Sequence, residues 1–76
     1  MFQKELMTFG PVLRGLRVER NWTQAELSEK LGVSFQHVSV LESGRKVPSL
    51  LMLFKVAKVF GVTPNSIVAA MEERLR

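Results

Sequence analysis

The chain has 76 residues, so it is expected to hold one domain with a small core, near the size at which burial barely suffices, with no room for a second, effector-sensing domain. It has no cysteine, which excludes disulfides and thiolate metal sites such as zinc fingers, so stability has to come from packing, as suits a reducing cytoplasm. A net charge of +4 favours an anionic partner such as a phosphate backbone. The opening segment, MFQKELMTFG, has mixed charge and no long apolar run, so neither a secretory leader nor a membrane span is expected and the protein should be soluble and cytoplasmic. There are no repeats, flexible linkers or strand patterns. The breaks are single capping residues, which predicts an all-α bundle of five helices with short connections.

The first helix begins near Thr8, tolerates Pro11 in its opening turn, buries Phe9, Val12, Leu13 and Leu16, and ends around Asn21. Gly15 weakens it by about 1 kcal/mol. Residues 1–7 stay open: Phe2 and Leu6, four apart, fit either an extra turn packed on a neighbour or a frayed arm. In the second helix Thr23 caps and Glu26 reaches back to the cap amide, a reciprocal capping box, while Leu27 and Leu31 share one face. Gly32 supplies the positive φ of a sharp stop, and Val33 fills the corner. Ser34 caps the third helix, where Val38 and Leu41 face inward and Phe35, Gln36, Ser39, Val40 and Ser43 are left on the other side. The loop from Gly44 to Pro48 leads to Ser49, cap of a fourth helix expected to bury Leu50, Leu53, Phe54, Ala57 and Phe60 and to end at Gly61. Thr63-Pro64 opens the fifth in the favoured order of cap, then proline.

The stretch from Thr23 to Gly44, TQAELSEKLGVSFQHVSVLESG, resembles the helix-turn-helix of the phage-repressor and Cro family, also called the XRE type. The matching residues are Thr23, Gln24, Leu27, Leu31, Gly32, Val33, Glu42 and Gly44. Flanking matches at Leu13, Leu16, Arg17, Pro48, Ser49, Ala57, Gly61 and Val62 extend the resemblance over roughly residues 8–68, leaving 69–76 as an extension of the last helix within a single domain, 1–76. Ser28 departs from the family's usual alanine but is small enough to keep the helices close. The resemblance implies a five-helix, lambda-repressor/Cro-like DNA-binding domain. It further implies a dimeric, sequence-specific regulator of transcription without catalytic activity, binding palindromic double-stranded DNA through the major groove.

Within that frame Gln36 is the leading base reader, because its amide can donate to and accept from adenine N6 and N7 together and it stands where the family inserts base-reading side chains. Phe35 and Val40 can pack on thymine methyls, although Phe35 lies at the edge of the core stripe and fits the core as well. Ser39 is small enough to let the helix approach the bases, and Ser43 completes the set of base-reading candidates. Gln24 follows a cap whose free amides and positive dipole end make a phosphate site. Arg45 and Lys46, just past the third helix, are set to straddle the groove edge, and Ser34, His37 and Arg14 are further phosphate candidates. His37 is the only histidine in a chain with neither cysteine nor aspartate, so no metal ligand, catalytic group or cofactor is expected. Lys55 and Lys58 read as solubilising charges.

Phe9, Leu13 and Arg17 follow at intervals of four, which sets a cation beside an apolar stripe, and Glu42 at the edge of the core face is its natural partner. The resemblance implies a bridge between them that fixes the two helices. Trp22 reads as a cap over the junction of the first and second helices. A surplus of apolar residues, Leu51, Met52 and Val59 on the fourth helix with Val68, Met71 and Leu75 on the fifth, is expected to join two copies, or else to enlarge the core with the N-terminal residues. A twofold axis would set two recognition helices about 34 Å apart. The alternative use of the same patch is to hold a different protein, as the antitoxin half of a toxin pair would.

Overall fold

The computed structural model describes residues 3–76 as a chain of six helices: α1 (Gln3–Met7), α2 (Phe9–Glu19), α3 (Gln24–Leu31), α4 (Phe35–Glu42), α5 (Leu50–Phe60) and α6 (Pro64–Glu73). The five expected helices are α2 to α6, and α1 is the extra turn that residues 1–7 left open. Thr8 keeps α-helical angles, φ −69° and ψ −15°, and donates its hydroxyl to the Glu5 carbonyl at 2.6 Å, so α1 runs into α2 without a capping break. Leu6 is exposed, and Phe2 lies outside the described residues.

Local chemistry explains the remaining ends. Thr23 and Glu26 form the full capping box, with the Glu26 amide donating to Thr23 Oγ1 at 3.0 Å and the Thr23 amide to Glu26 Oε1 at 2.8 Å. Ser34, Ser49 and Thr63 each accept from the amide three residues on. Gly32 and Gly61 close α3 and α5 with φ of 71° and 69°. Asn21 closes α2 in the same left-handed way at φ 59°, and the Trp22 amide donates back to the Arg17 carbonyl at 3.2 Å.

The core draws on α2 to α6: Phe9 and Leu13, Leu27 and Leu31, Val38 and Leu41, Val56 with Ala57 and Phe60, and Ile67. Each large side chain buried this way contributes about 1.5–3 kcal/mol. The helix α4 packs on both α2 and α3, while α6 closes over α2 and α5. At Gly10 the backbones of α2 and α4 meet: a Cβ there would stand 2.6 Å from the carbonyl oxygens of both Leu41 and Glu42. Ser28, buried, donates its hydroxyl to the Ala25 carbonyl, so the departure from alanine leaves no unpaired group.

Two expectations are corrected on α5. Its buried face is Met52, Val56, Ala57 and Phe60, with Leu53 half-buried, whereas Leu50 and Phe54, expected inside, are 77% and 60% exposed. Met52, expected on the outward surplus face, is in the core at 6% exposure, and Val59 and Met71 are half-buried against that core. Leu51, Val68 and Leu75 are exposed as expected. The cause is the sequence LLMLFKVAKVF, apolar at every position but Lys55 and Lys58, in which a rotated face has the same period. Trp22 also reaches further than expected: its ring stacks on Phe60 of α5 at 5.2 Å, and Arg20 beside it donates to the Phe60 carbonyl at 2.7 Å.

Candidate nucleic-acid interface

Helix α4 is short, and its depth in the molecule is set from one side. Val38 and Leu41 are fully buried and Ser34 holds its first turn by accepting from the His37 amide at 3.1 Å. Its other side carries Phe35, Gln36 and Ser43, which are exposed, and Ser39 and Val40, which are half-buried. Phe35, at 50% exposure, is therefore on the outer face and not in the core. The one acid of α4, Glu42, points inward, so this face is uncharged.

Glu42 ties three helices together. Arg17 of α2 donates from Nε to Glu42 Oε2 at 2.6 Å and from Nη2 to Oε1 at 3.0 Å, while its Nη1 reaches the Trp22 carbonyl at 2.8 Å. Gln24, first residue of α3, donates Nε2 to the same Oε1 at 3.0 Å. The Arg17 and Glu42 side chains are 13% and 4% exposed, so this bidentate pair is shielded from water and salt. The hydrogen bond to Glu42 holds the Arg17 guanidinium above its ordinary range, against the opposing effect of burial and with the carboxylate charge adding to it. The Arg17–Glu42 bridge is thus present as expected. The Gln24 bond was not foreseen, since a glutamine after a cap carries no local mark of a distant acid.

The remaining candidates lie on α2, on α3 and α4, and in the segment between α4 and α5. Gln24 keeps one N–H and its oxygen free of the bridge. Ser43 donates its hydroxyl to the Val40 carbonyl at 2.8 Å and accepts from Arg45 Nε at 3.1 Å, so it directs Arg45 along the end of α4. His37 and Lys46 line, with Val47, Pro48, Ser49 and Met52, a hollow of about 300 Å³ at the N-terminus of α5, where the first amides are free of helical partners. Arg14 is exposed on α2. Among the described residues no group of three or more His, Cys, Asp or Glu converges as a metal site would, and no single helix is long and apolar enough to cross a membrane.

A capped helix, a left-handed glycine turn and a second helix presenting an uncharged outer face, within an all-α bundle, define a helix-turn-helix DNA-binding domain. The family model described as Helix-turn-helix matches residues 13–67. An uncharacterised HTH-type transcriptional regulator of Methanocaldococcus jannaschii is 48% identical over 50 residues, covering 66% of this chain and 76% of that protein. The immunity repressor protein of Bacillus phage phi105 is 37% identical over 62 residues, 82% of this chain and 43% of the repressor. The crystal structure of the clp gene regulator ClgR from Corynebacterium glutamicum superposes with a TM-score of 0.85 at 28% identity, covering 100% of this chain and 96% of that one. The chain belongs to the helix-turn-helix family of transcriptional regulators of the phage-repressor and Cro type. Its relatives are named as regulators, a non-enzymatic class.

Proposed function

We propose that the protein is a sequence-specific, cytoplasmic regulator of transcription without catalytic activity or cofactor that binds palindromic double-stranded DNA as a dimer and inserts α4 into the major groove of each half-site. The observation that carries this reading is the uncharged outer face of α4, anchored from behind by the buried Arg17–Glu42 bridge. Gln36 reads adenine through its amide, Phe35 and Val40 contact thymine methyls, and Ser39 lets the helix lie close. Phosphates are held by the free N–H of Gln24, by Ser34, by His37 and Lys46 beside the first amides of α5, and by Arg45, with Arg14 at the margin. Ser43, whose hydroxyl already donates to the Val40 carbonyl, serves by directing Arg45 and does not donate to a base.

The dimer contact includes the exposed surplus residues Leu51, Val68 and Leu75 and gains Leu50 and Phe54. Leu50, Leu51 and Phe54, at 77%, 69% and 60% exposure, adjoin one another on α5 and form more than the scattered single apolar residues of an ordinary surface. Met71, half-buried, supports the contact from the core side, whereas Val59, half-buried on the edge of α5 that faces α3, falls outside it. The test is selection of bound sites from random duplexes at stated salt. The reading requires an enriched inverted repeat with half-site centres about one helical turn apart, roughly 34 Å. Enrichment of single half-sites, or of none, would contradict it.

A further inference from the structure

The helix α5 has two outward edges. Leu50 and Phe54, four apart, belong to the one assigned above to a second copy, with Leu51 at its border, while Lys55 and Val59, also four apart, lie on the edge that faces the end of α3. There α3 and α5 enclose a groove of about 280 Å³ lined by Leu31 and Val59 together with Lys30, Lys55 and Lys58. Val59, half-buried, supplies the accessible part of the floor, and Leu31, 2% exposed, backs it from the hydrophobic core. None of the three ammonium groups meets a carboxylate: the ion pairs among the described residues are Arg17–Glu42 and Glu73–Arg76. Lys30 is held at the rim by the Trp22 ring, with Nζ 4.5 Å from its centroid.

We propose that this groove docks an acidic segment of a partner protein, with one large apolar side chain seated on Leu31 and Val59 and flanking carboxylates meeting Lys30, Lys55 and Lys58. The volume admits a single leucine- or phenylalanine-sized anchor, and three unpaired cations around an apolar floor complement that pattern of charge. Lys30 and Lys58 stand in the last turns of α3 and α5, where they offset the helix dipoles, but mid-helix Lys55 has no such task and converges on the same floor. Nucleic acid fits less well. A phosphodiester has no apolar group to seat on the floor. A second copy also fits poorly. The exposed Glu72 and Glu73 beside Leu75 share their segment with Arg74 and Arg76, and Glu73 already pairs with Arg76 at 3.4 Å.

The proposal stands independently of the DNA reading and is tested on the full chain with a library of random dodecapeptides, selected on the protein and counter-selected on K55Q/K58Q. Both lysines are exposed, so this variant keeps the fold. Enriched peptides should carry acidic residues around one Leu, Ile, Phe or Met and should shift the methyl resonances of Leu31 and Val59. Their affinity should fall about tenfold on K55Q/K58Q, as the loss of two exposed ion pairs implies, and again when the anchor becomes alanine, while duplex affinity of the variant stays that of the wild type. The proposal is overturned if no peptide is enriched, if peptides bind K55Q/K58Q equally, if anchor-free acidic peptides bind as well, or if duplex DNA shifts the same two methyls.

Discussion

Replacing Arg17 by methionine removes two charge-assisted bonds from Glu42, at 2.6 and 3.0 Å, and leaves a carboxylate whose side chain is 4% exposed with Gln24 as its remaining side-chain donor. Breaking a buried pair from one side costs about 3–5 kcal/mol. The whole stability of a 76-residue domain is about 4–11 kcal/mol, so the loss is a large share of it. At about 4–8 °C per kcal/mol for a domain of this size, Arg17→Met should lower Tm by at least about 12 °C. Glu42→Met strands the guanidinium instead. That cation is 13% exposed and keeps the Trp22 carbonyl, so its loss should be somewhat smaller. The double variant puts two apolar side chains in contact and should recover to within about 1–1.5 kcal/mol of wild type, giving a coupling of at least about 2 kcal/mol. Urea unfolding of all four proteins, reading both midpoint and slope, measures this cycle. Additive losses in the double variant would mean that the two residues act separately and that no buried pair couples α2 to α4.

Three further outcomes follow from the same geometry. Gly10→Ala drives a Cβ to 2.6 Å from two carbonyl oxygens and should destabilise by about 1–3 kcal/mol or more, whereas Gly15→Ala, with nothing within 4 Å of its Cβ, should stabilise by about 0.5–1 kcal/mol, both read by thermal unfolding. Gln36→Ala should relax preference at one base pair of each half-site by about 1–3 kcal/mol, while Lys46→Ala should weaken matched and mutated duplexes alike, as titration on both sets would reveal. Leu50→Glu with Phe54→Glu, both at exposed sites, should leave the fold intact and convert the dimer to a monomer in sedimentation, with loss of cooperative binding to the full palindrome.

Features that depend on a few adjacent residues were legible in the chain. Thr23 with Glu26, Ser34, Gly32, Ser49, Gly61 and Thr63-Pro64 each carry their own capping chemistry, so the helix-turn-helix and the helix order follow from them. Arg17 was legible for a different reason: a cation on an apolar stripe must find an acid, and Glu42 was within reach. The buried side of α5 was not legible from apolar period alone, because Leu50-Phe54 and Met52-Val56-Phe60 repeat equally well. Lys55 and Lys58 were the better guide, since the side opposite them is the one buried. Gly10 and the Gln24–Glu42 bond had no local signal, for each depends on where another helix comes to rest. Asn21 could have been anticipated, since asparagine tolerates the left-handed angles that end α2.

Whether the uncharged face of α4 lies against base edges is decided by titrating the isotope-labelled protein with its selected duplex. The titration would follow the Gln36 side-chain amide, the Phe35 ring and the Val40 methyls, together with intermolecular contacts to the DNA. The account predicts saturable shifts at all three and contacts from Val40 and Phe35 to thymine methyls, with affinity falling roughly a thousandfold between about 50 and 200 mM salt if about six phosphates are neutralised per dimer. Resonances of Gln36 and Val40 that stay fixed while the duplex binds elsewhere would contradict it.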